Sequence, residues 1–173
     1  MKNIQTVIST EVPIIYNGTD FIPVSLSFAG KKRILTRDAS IRILRPVSVV
    51  WNTLTDREFW KSFFFYDEFQ GEIHAFSEFI GRGIRNGKPF QEHGEFTAVR
   101  PGLLIQYHVW HWGSSPEQDS DSGVTISFRD TGTGAAKITI LQTWRVLDDE
   151  TRPSFDWDVQ LLRIKTLLEN ISG

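Results

Sequence analysis

From residue 89 to residue 146 the apolar residues recur at every second position, in runs broken by turn signals, and after Pro153 the period becomes helical. PFQEHGEFTAVRPG (89–102) is a strand closed by Pro101–Gly102, and LLIQYHVWHW (103–112) is a long strand. GSSPEQDSDSG (113–123) is a polar loop, and VTISFRDTGTGAAKITILQTWRV (124–146) is a hairpin around Thr131–Gly132–Thr133–Gly134. Strands joined by short turns pair antiparallel, and such a meander buries one of its faces. From Pro153 to Asn170, the residues Phe155, Trp157, Val159, Leu161, Leu162, Ile164, Leu167 and Leu168 fall mostly on one broad helical stripe, which is the cover that face requires. The chain is thereby bound to an α+β domain with helices on one side of a curved sheet.

The preceding residues fit the same plan. RILTRDASIRIL (33–44) alternates Ala39, Ile41 and Ile43 against Ser40, Arg42 and Leu44, which predicts a strand. Pro46 then suits a first helical turn, and Val47, Val50, Trp51 and Leu54 follow at helical spacing. Thr55 with Glu58 has the S/T-x-x-E form of a capping box, so a second short helix is expected to start there and to carry Phe59, Trp60 and Phe63. The run Phe63-Phe64-Phe65-Tyr66 leaves that helix and reads either as core or as the rim of a pocket. GEIHAFSEFIGRGIRNG (71–87) alternates loosely, is interrupted at Gly81 and Gly83, and ends in the hairpin signal Asn86–Gly87. Residues 1–30 form an N-terminal extension with at most short strands; FIPVSLSF (21–28) is one, placed at an edge by Pro23.

At 173 residues the expectation is one core domain over residues 31–173, large enough for a single sizeable core. The net charge of −2 and the lack of basic runs beyond Lys31-Lys32-Arg33 argue against a nucleic-acid surface. Without cysteine there are no disulfides, thiolate metal sites or cysteine nucleophiles. MKNIQTVISTEVP has no long apolar h-region, and no span approaches 20 apolar residues, so a cytoplasmic, soluble protein without stable membrane anchoring is expected.

The element order and four segments resemble the START-like (SRPBCC, Bet v 1-like, helix-grip) superfamily. Within it the chain looks like the family named for the activator of the ninety-kilodalton heat-shock protein ATPase, homologue-one-like. The segments are IRILRPVSVVWNTLTDREFWKSFF, GEFTAVRPGLLIQYHVW, GVTISFRDTGTGAAKITILQTW and FDWDVQLLRIKTLLEN, and the likeness covers roughly residues 33–170. It implies a curved antiparallel sheet wrapped around a long C-terminal helix, with two short helices after the first core strand. It also implies an elongated cavity between sheet and helix that takes lipids, sterols, polyketides or other apolar small molecules. A few members of the superfamily are cyclases, aromatases or hydrolases.

Catalytic and metal-binding patterns are weak by comparison. His108 and His111 are three apart on a strand, so alternation sends them to opposite faces and they do not share an ion. There is no G-x-S-x-G elbow, and Gly132-x-Gly134 lacks the following helix of a phosphate loop. Glu117, Asp119 and Asp121 read as solvated, without the closing ligand of a calcium loop. No metal and no cofactor are expected.

What remains is the cavity wall. Ile105, Tyr107, Val109 and His111 share one face of their strand; Gln106, His108, Trp110 and Trp112 share the other. On the last strand Ile138, Ile140, Gln142, Trp144 and Val146 share a face against Lys137, Thr139, Thr143 and Arg145. A few polar groups in an apolar interior is the usual make-up of a small-molecule site. The expected ligand-binding residues are therefore Ile105, Tyr107, Val109 and His111, with Ile140, Gln142 and Trp144. Trp60, Phe64 and Trp157 are added from the helices and the run between them. The expected function is binding of a hydrophobic or aromatic small molecule. Two alternatives stand beside it. One is a cyclase- or hydrolase-type enzyme using His111 or His74 as acid/base with Tyr107. The other is a stress-related co-chaperone or interaction module, homodimeric or with a protein partner, through Trp110 and Trp112.

Overall fold

The computed structural model describes residues 6–7, 33–85, 87–111, 120–146 and 156–170. It holds eight strands and three helices: β1 (Thr6–Val7), β2 (Arg33–Ile43), α1 (Val47–Leu54), α2 (Arg57–Phe63), β3 (Glu68–Gly71), β4 (Ser77–Arg85), β5 (Lys88–Arg100), β6 (Leu104–His111), β7 (Ser120–Asp130), β8 (Ala136–Val146) and α3 (Trp157–Asn170). They make one antiparallel sheet in the order β1-β2-β8-β7-β6-β5-β4-β3. The first long strand pairs with the last along its whole length, from Arg33 opposite Val146 to Ile43 opposite Ala136. This is the Bet v 1-like helix-grip arrangement, with a curved sheet and a long C-terminal helix.

Alternation decides which side of each strand is buried. Ala39 and Ile43 are buried while Ser40 and Arg42 are exposed, and Ile138 and Ile140 are buried while Lys137 is exposed. Helix α3 lays Trp157, Gln160, Leu161, Ile164 and Leu168 on the interior. Its stripe is narrower than the composition of the segment suggests: Val159, Leu162 and Leu167, expected on the same face, are exposed. They sit at the wrong angle, because only positions near i, i+3, i+4, i+7 and i+11 from Trp157 return to one side.

Hydrogen bonds and ion pairs clamp α3 to β2 at both ends. Near the C-terminus Glu169 accepts from the Leu44 amide at 2.7 Å, Lys165 donates to the Arg42 carbonyl at 2.8 Å, and Arg45 donates to the Leu168 carbonyl at 2.8 Å. The last of these occupies a carbonyl that a helix end otherwise leaves free. At the N-terminus the Arg37 guanidinium lies 3.3 Å from both Asp156 and Asp158, whose negative charge also suits the positive end of the helix.

Three local expectations are corrected. The cap of α2 is Asp56, whose carboxylate accepts from the Phe59 amide at 2.8 Å, and not Thr55. Thr55 instead ends α1, its hydroxyl donating to the Trp51 carbonyl at 2.9 Å, and stands one residue before the cap of the next helix. Residues 71–87 do not form one strand: β3 ends at Gly71, a turn follows, and β4 begins at Ser77. Finally, β7 begins at Ser120, inside the segment read as a polar loop, because Gly123 and Ser122 pair with Thr143 and Trp144. The expected strand at 21–28 and residues 113–119 lie outside the described residues.

Candidate functional site

Helix α2 and the residues after it supply an aromatic wall. Trp60 and Phe63 point inward from the helix and Phe64 is buried at its end. Phe65 then takes φ 60°, a left-handed conformation that non-glycine residues rarely adopt, and is exposed under the Arg163 guanidinium, 4.8 Å from its ring centroid. That reversal returns Tyr66 to the interior. Four consecutive aromatics therefore place three rings inside and one outside, which neither helical nor strand periodicity would yield.

The interruptions at Gly81 and Gly83 have a packing cause. A Cβ at Gly81 would collide with the Tyr66 ring, one at Gly83 with the Phe65 carbonyl, and one at Gly94 with the Phe79 ring and the His108 carbonyl. The missing side chains are seats for rings lying against the sheet. Gly81 is opposite Glu92 in the β4–β5 ladder. The Tyr66 ring, resting on Gly81, therefore brings its hydroxyl to the Glu92 carboxylate and donates at 2.6 Å, with both residues buried.

Strand β6 runs beneath this wall with Ile105, Tyr107 and Val109 buried. The Tyr107 ring meets Trp60 edge-on at 5.5 Å and lies 5.9 Å from Phe96 and 6.0 Å from Phe64. Phe64 in turn meets Trp157 of α3 at 6.1 Å. Within these rings two polar atoms find no hydrogen-bond partner among the described residues, the Tyr107 hydroxyl and the Trp60 Nε1–H; the Trp144 Nε1–H on β8, the Thr97 hydroxyl and His108 Nε2 share that lack elsewhere in the sheet. Burial pushes the Tyr107 phenol well above the ordinary tyrosine range, and the nearby negative charge of Glu92 pushes it further the same way. By contrast Trp157 donates its Nε1–H to Gln142 at 2.7 Å, and Gln142 donates to the buried Ser122 hydroxyl at 2.9 Å.

The sequence-predicted residues divide as follows. Trp60, Phe64, Ile105, Tyr107, Val109, Ile140 and Trp157 are all buried in one continuous core. Gln142 and Trp144 are half-buried beside them. His111 ends β6 opposite Glu92 and Ser120; its side chain lies outside the described set. Tyr66 and Glu92 went unread as site residues. Glu92 was nonetheless detectable: Phe90, Glu92, Gly94 and Phe96 share one face of β5, so alternation puts a carboxylate on a face of rings. Tyr66 left no comparable signal, because its direction depends on the backbone reversal at Phe65.

On the opposite face of β6, Gln106 and His108 are half-buried and Trp110 is 37% exposed. Trp112 lies outside the described residues. His74, expected on a strand, is instead exposed in the turn between β3 and β4, its Nδ1 2.9 Å from the Ala75 carbonyl. That position removes it from an interior acid/base role. Among the described residues no group of three or more metal-ligating side chains comes together, and no helix is long and apolar enough to cross a membrane.

The sheet order, the long closing helix and the two short helices after β2 coincide with a match over residues 45–169 to the family described as activator of Hsp90 ATPase homolog 1-like protein. The chain belongs to that family. Solved structures agree on the fold. Protein MLL2253 from Mesorhizobium loti is 18% identical over 80% of this chain and 99% of its own, with a TM-score of 0.60. ChR145 from Cytophaga hutchinsonii is 21% identical over 79% of this chain and 94% of its own, with a TM-score of 0.59. Ara h 8.0201 is 13% identical over 78% and 91%, with a TM-score of 0.55. At such identities these neighbours speak for architecture and not for activity. No curated protein matches the sequence.

Proposed function

We propose that this activator-of-Hsp90-ATPase-like domain binds an apolar or aromatic small molecule in its interior, between the sheet, α2 and α3. The fold family is associated with small hydrophobic ligands. The observation that carries the reading for this chain is the set of buried, unpartnered donors on Trp60 and Tyr107 inside a wall of rings. A buried polar group without a partner is destabilising by about 1–3 kcal/mol, and cores built only to pack avoid it. A guest that supplies the missing acceptors turns that loss into binding. Trp60, Phe64, Ile105, Tyr107 and Val109 would form one wall. Ile140, Gln142, Trp144 and Trp157 would form the facing one, with His111 at the end of β6. Residues 31–173 would carry the site, with residues 1–30 outside it.

The test is titration of the full chain with Nile red, a neutral apolar dye, alongside native mass spectrometry of protein purified without detergent. Saturable binding near one dye per chain, reduced by Val109→Trp, is the expected result. Linear, unsaturable uptake unaffected by that substitution would remove the interior site. A second reading, a protein-contact surface, rests on Trp110 alone, half-open on the outer face. Sedimentation of the wild type against Trp110→Lys separates it: a self-associating surface loses its dimer, and an internal site is indifferent.

A further inference from the structure

Resting on that reading, the structure assigns a chemical character to the guest. We infer that Tyr107 and Trp60 are the hydrogen-bonding end of the site, that they receive a neutral acceptor oxygen such as a ketone or quinone carbonyl on a flat ring system, and that Glu92 turns away carboxylates. The donors set the first half of this. The indole Nε1–H of Trp60 can only donate, and Tyr107 is buried at 3% exposure with its hydroxyl free among the described residues. Their rings meet edge to face with centroids 5.5 Å apart, so both donors belong to one stretch of the wall, where a single guest can face them. A guest that is itself apolar throughout would leave both donors as lonely as before.

The walls set the shape. Rings of Phe64, Phe96 and Phe79 lie 6.0, 5.9 and 6.1 Å from Tyr107. Aromatic partners prefer offset or edge-on contact, which a flat guest provides and a kinked alkyl chain does not. The Glu92 side chain sets the charge. It is buried at 5% exposure, is bonded to Tyr66, and already disfavours a negative charge on Tyr107. The same repulsion acts on an anionic guest, in surroundings where water does little to screen it. A free fatty acid, whose head group is a carboxylate, is therefore a poor occupant despite its apolar tail.

Three probes of nearly one size test this on the full chain: fluorene, 9-fluorenone and 9-fluorenone-1-carboxylate, with affinities from calorimetry. Fluorenone is expected to bind about tenfold more tightly than fluorene, the worth of one added hydrogen bond to a waiting donor. Tyr107→Phe should shrink that ratio to about threefold or less, while Glu92→Gln should raise the carboxylate's affinity by about tenfold. In a nitrogen–proton spectrum of the wild type, the Trp60 indole resonance, identified by its absence in Trp60→Phe, should shift with fluorenone and not with fluorene; this readout needs no folding-competent substitution at Tyr107. Equal affinity for fluorene and fluorenone, with an unmoved Trp60 resonance, overturns the inference while leaving an apolar site in place. A carboxylate that binds as tightly as fluorenone overturns the charge argument. Failure of all three probes to bind, together with Nile red, overturns the small-molecule reading itself.

Discussion

The interior has two halves that share one sheet and differ in chemistry. Under α3, strands β2, β7 and β8 contribute Ile43, Ile126, Ile138 and Ile140 against Leu161, Ile164 and Leu168, all at most 2% exposed. Around α2, strands β3 to β6 contribute Phe69, Phe79, Phe96 and Tyr107 against Trp60, Phe64 and Tyr66. The aliphatic half is bordered mostly by bonded polar groups, with Leu44, Arg45 and Lys165 all tied across to or from α3 and the Trp144 Nε1–H of β8 the exception among the described residues. The aromatic half keeps a carboxylate and unpartnered donors among its rings. Branched aliphatic chains carry no polar atoms and fill space in few rotamers, which suits a region whose task is cohesion. Tyrosine and tryptophan bring polar tips that call for partners. The contrast separates a half built for cohesion from the half in which the proposed site lies.

The largest effect should come from the aliphatic half. Leu161→Ala removes a fully buried side chain facing β-sheet aliphatics and should lower stability by about 3 kcal/mol in urea denaturation, with fluorenone affinity little changed. If instead binding collapses while stability holds, the division is wrong. Gly81→Ala should lower stability by about 2 kcal/mol, since the new methyl meets the Tyr66 ring and displaces it from Glu92. Here binding should fall along with stability, the opposite pairing from Leu161→Ala.

Tyr107→Phe sharpens the comparison further, because the apo protein should become more stable, by about 1 kcal/mol, when a buried hydroxyl with nothing to bond is removed. It should also change alkaline stability. The folded phenol is held well above its unfolded value of about 10, so the folded state keeps its proton while the unfolded chain releases one. The neutral-phenol contribution is thus complete below about pH 10 and is lost as the pH climbs from there toward the folded value. In a pH series of melting curves the wild type should decline across that window more steeply than Tyr107→Phe. The smallest effect belongs to Arg37→Ala, which breaks the partly solvated pairs with Asp156 and Asp158 and should alter stability by about 0.5 kcal/mol, less at high salt.

The inward faces of two strands were legible in the sequence. A period of two along β6 and β8 separates them, and burial of Ile105, Tyr107, Val109, Ile138 and Ile140 follows that alternation directly. The order of elements, with two short helical stretches after the first core strand and a long one at the end, sufficed for a curved sheet gripped by one long helix. What alternation could not carry was any feature set by contacts between distant segments. Gly81 and Gly83 read as breaks in the sequence, whereas in the fold Gly81 seats the Tyr66 ring and Gly83 the Phe65 carbonyl. His74 kept strand-like neighbours in sequence yet fell in an exposed turn, because the chain reverses between Gly71 and Ser77.

Local sequence thus determined most of the secondary structure, the buried faces of β6 and β8 and the family, since those depend on periodicity within ten or so neighbouring residues. The tertiary structure decided the site. A left-handed residue at Phe65 sends Tyr66 inward, a glycine on β4 receives its ring, and the ladder partner of that glycine on β5 is Glu92. Three segments within residues 65–92 must come together before a hydroxyl meets a carboxylate at 2.6 Å, close enough for its charge to act on Tyr107. The hairpin signal at Asn86–Gly87 already sets Gly81 opposite Glu92, but no local pattern encodes which ring from another segment will lie on that glycine.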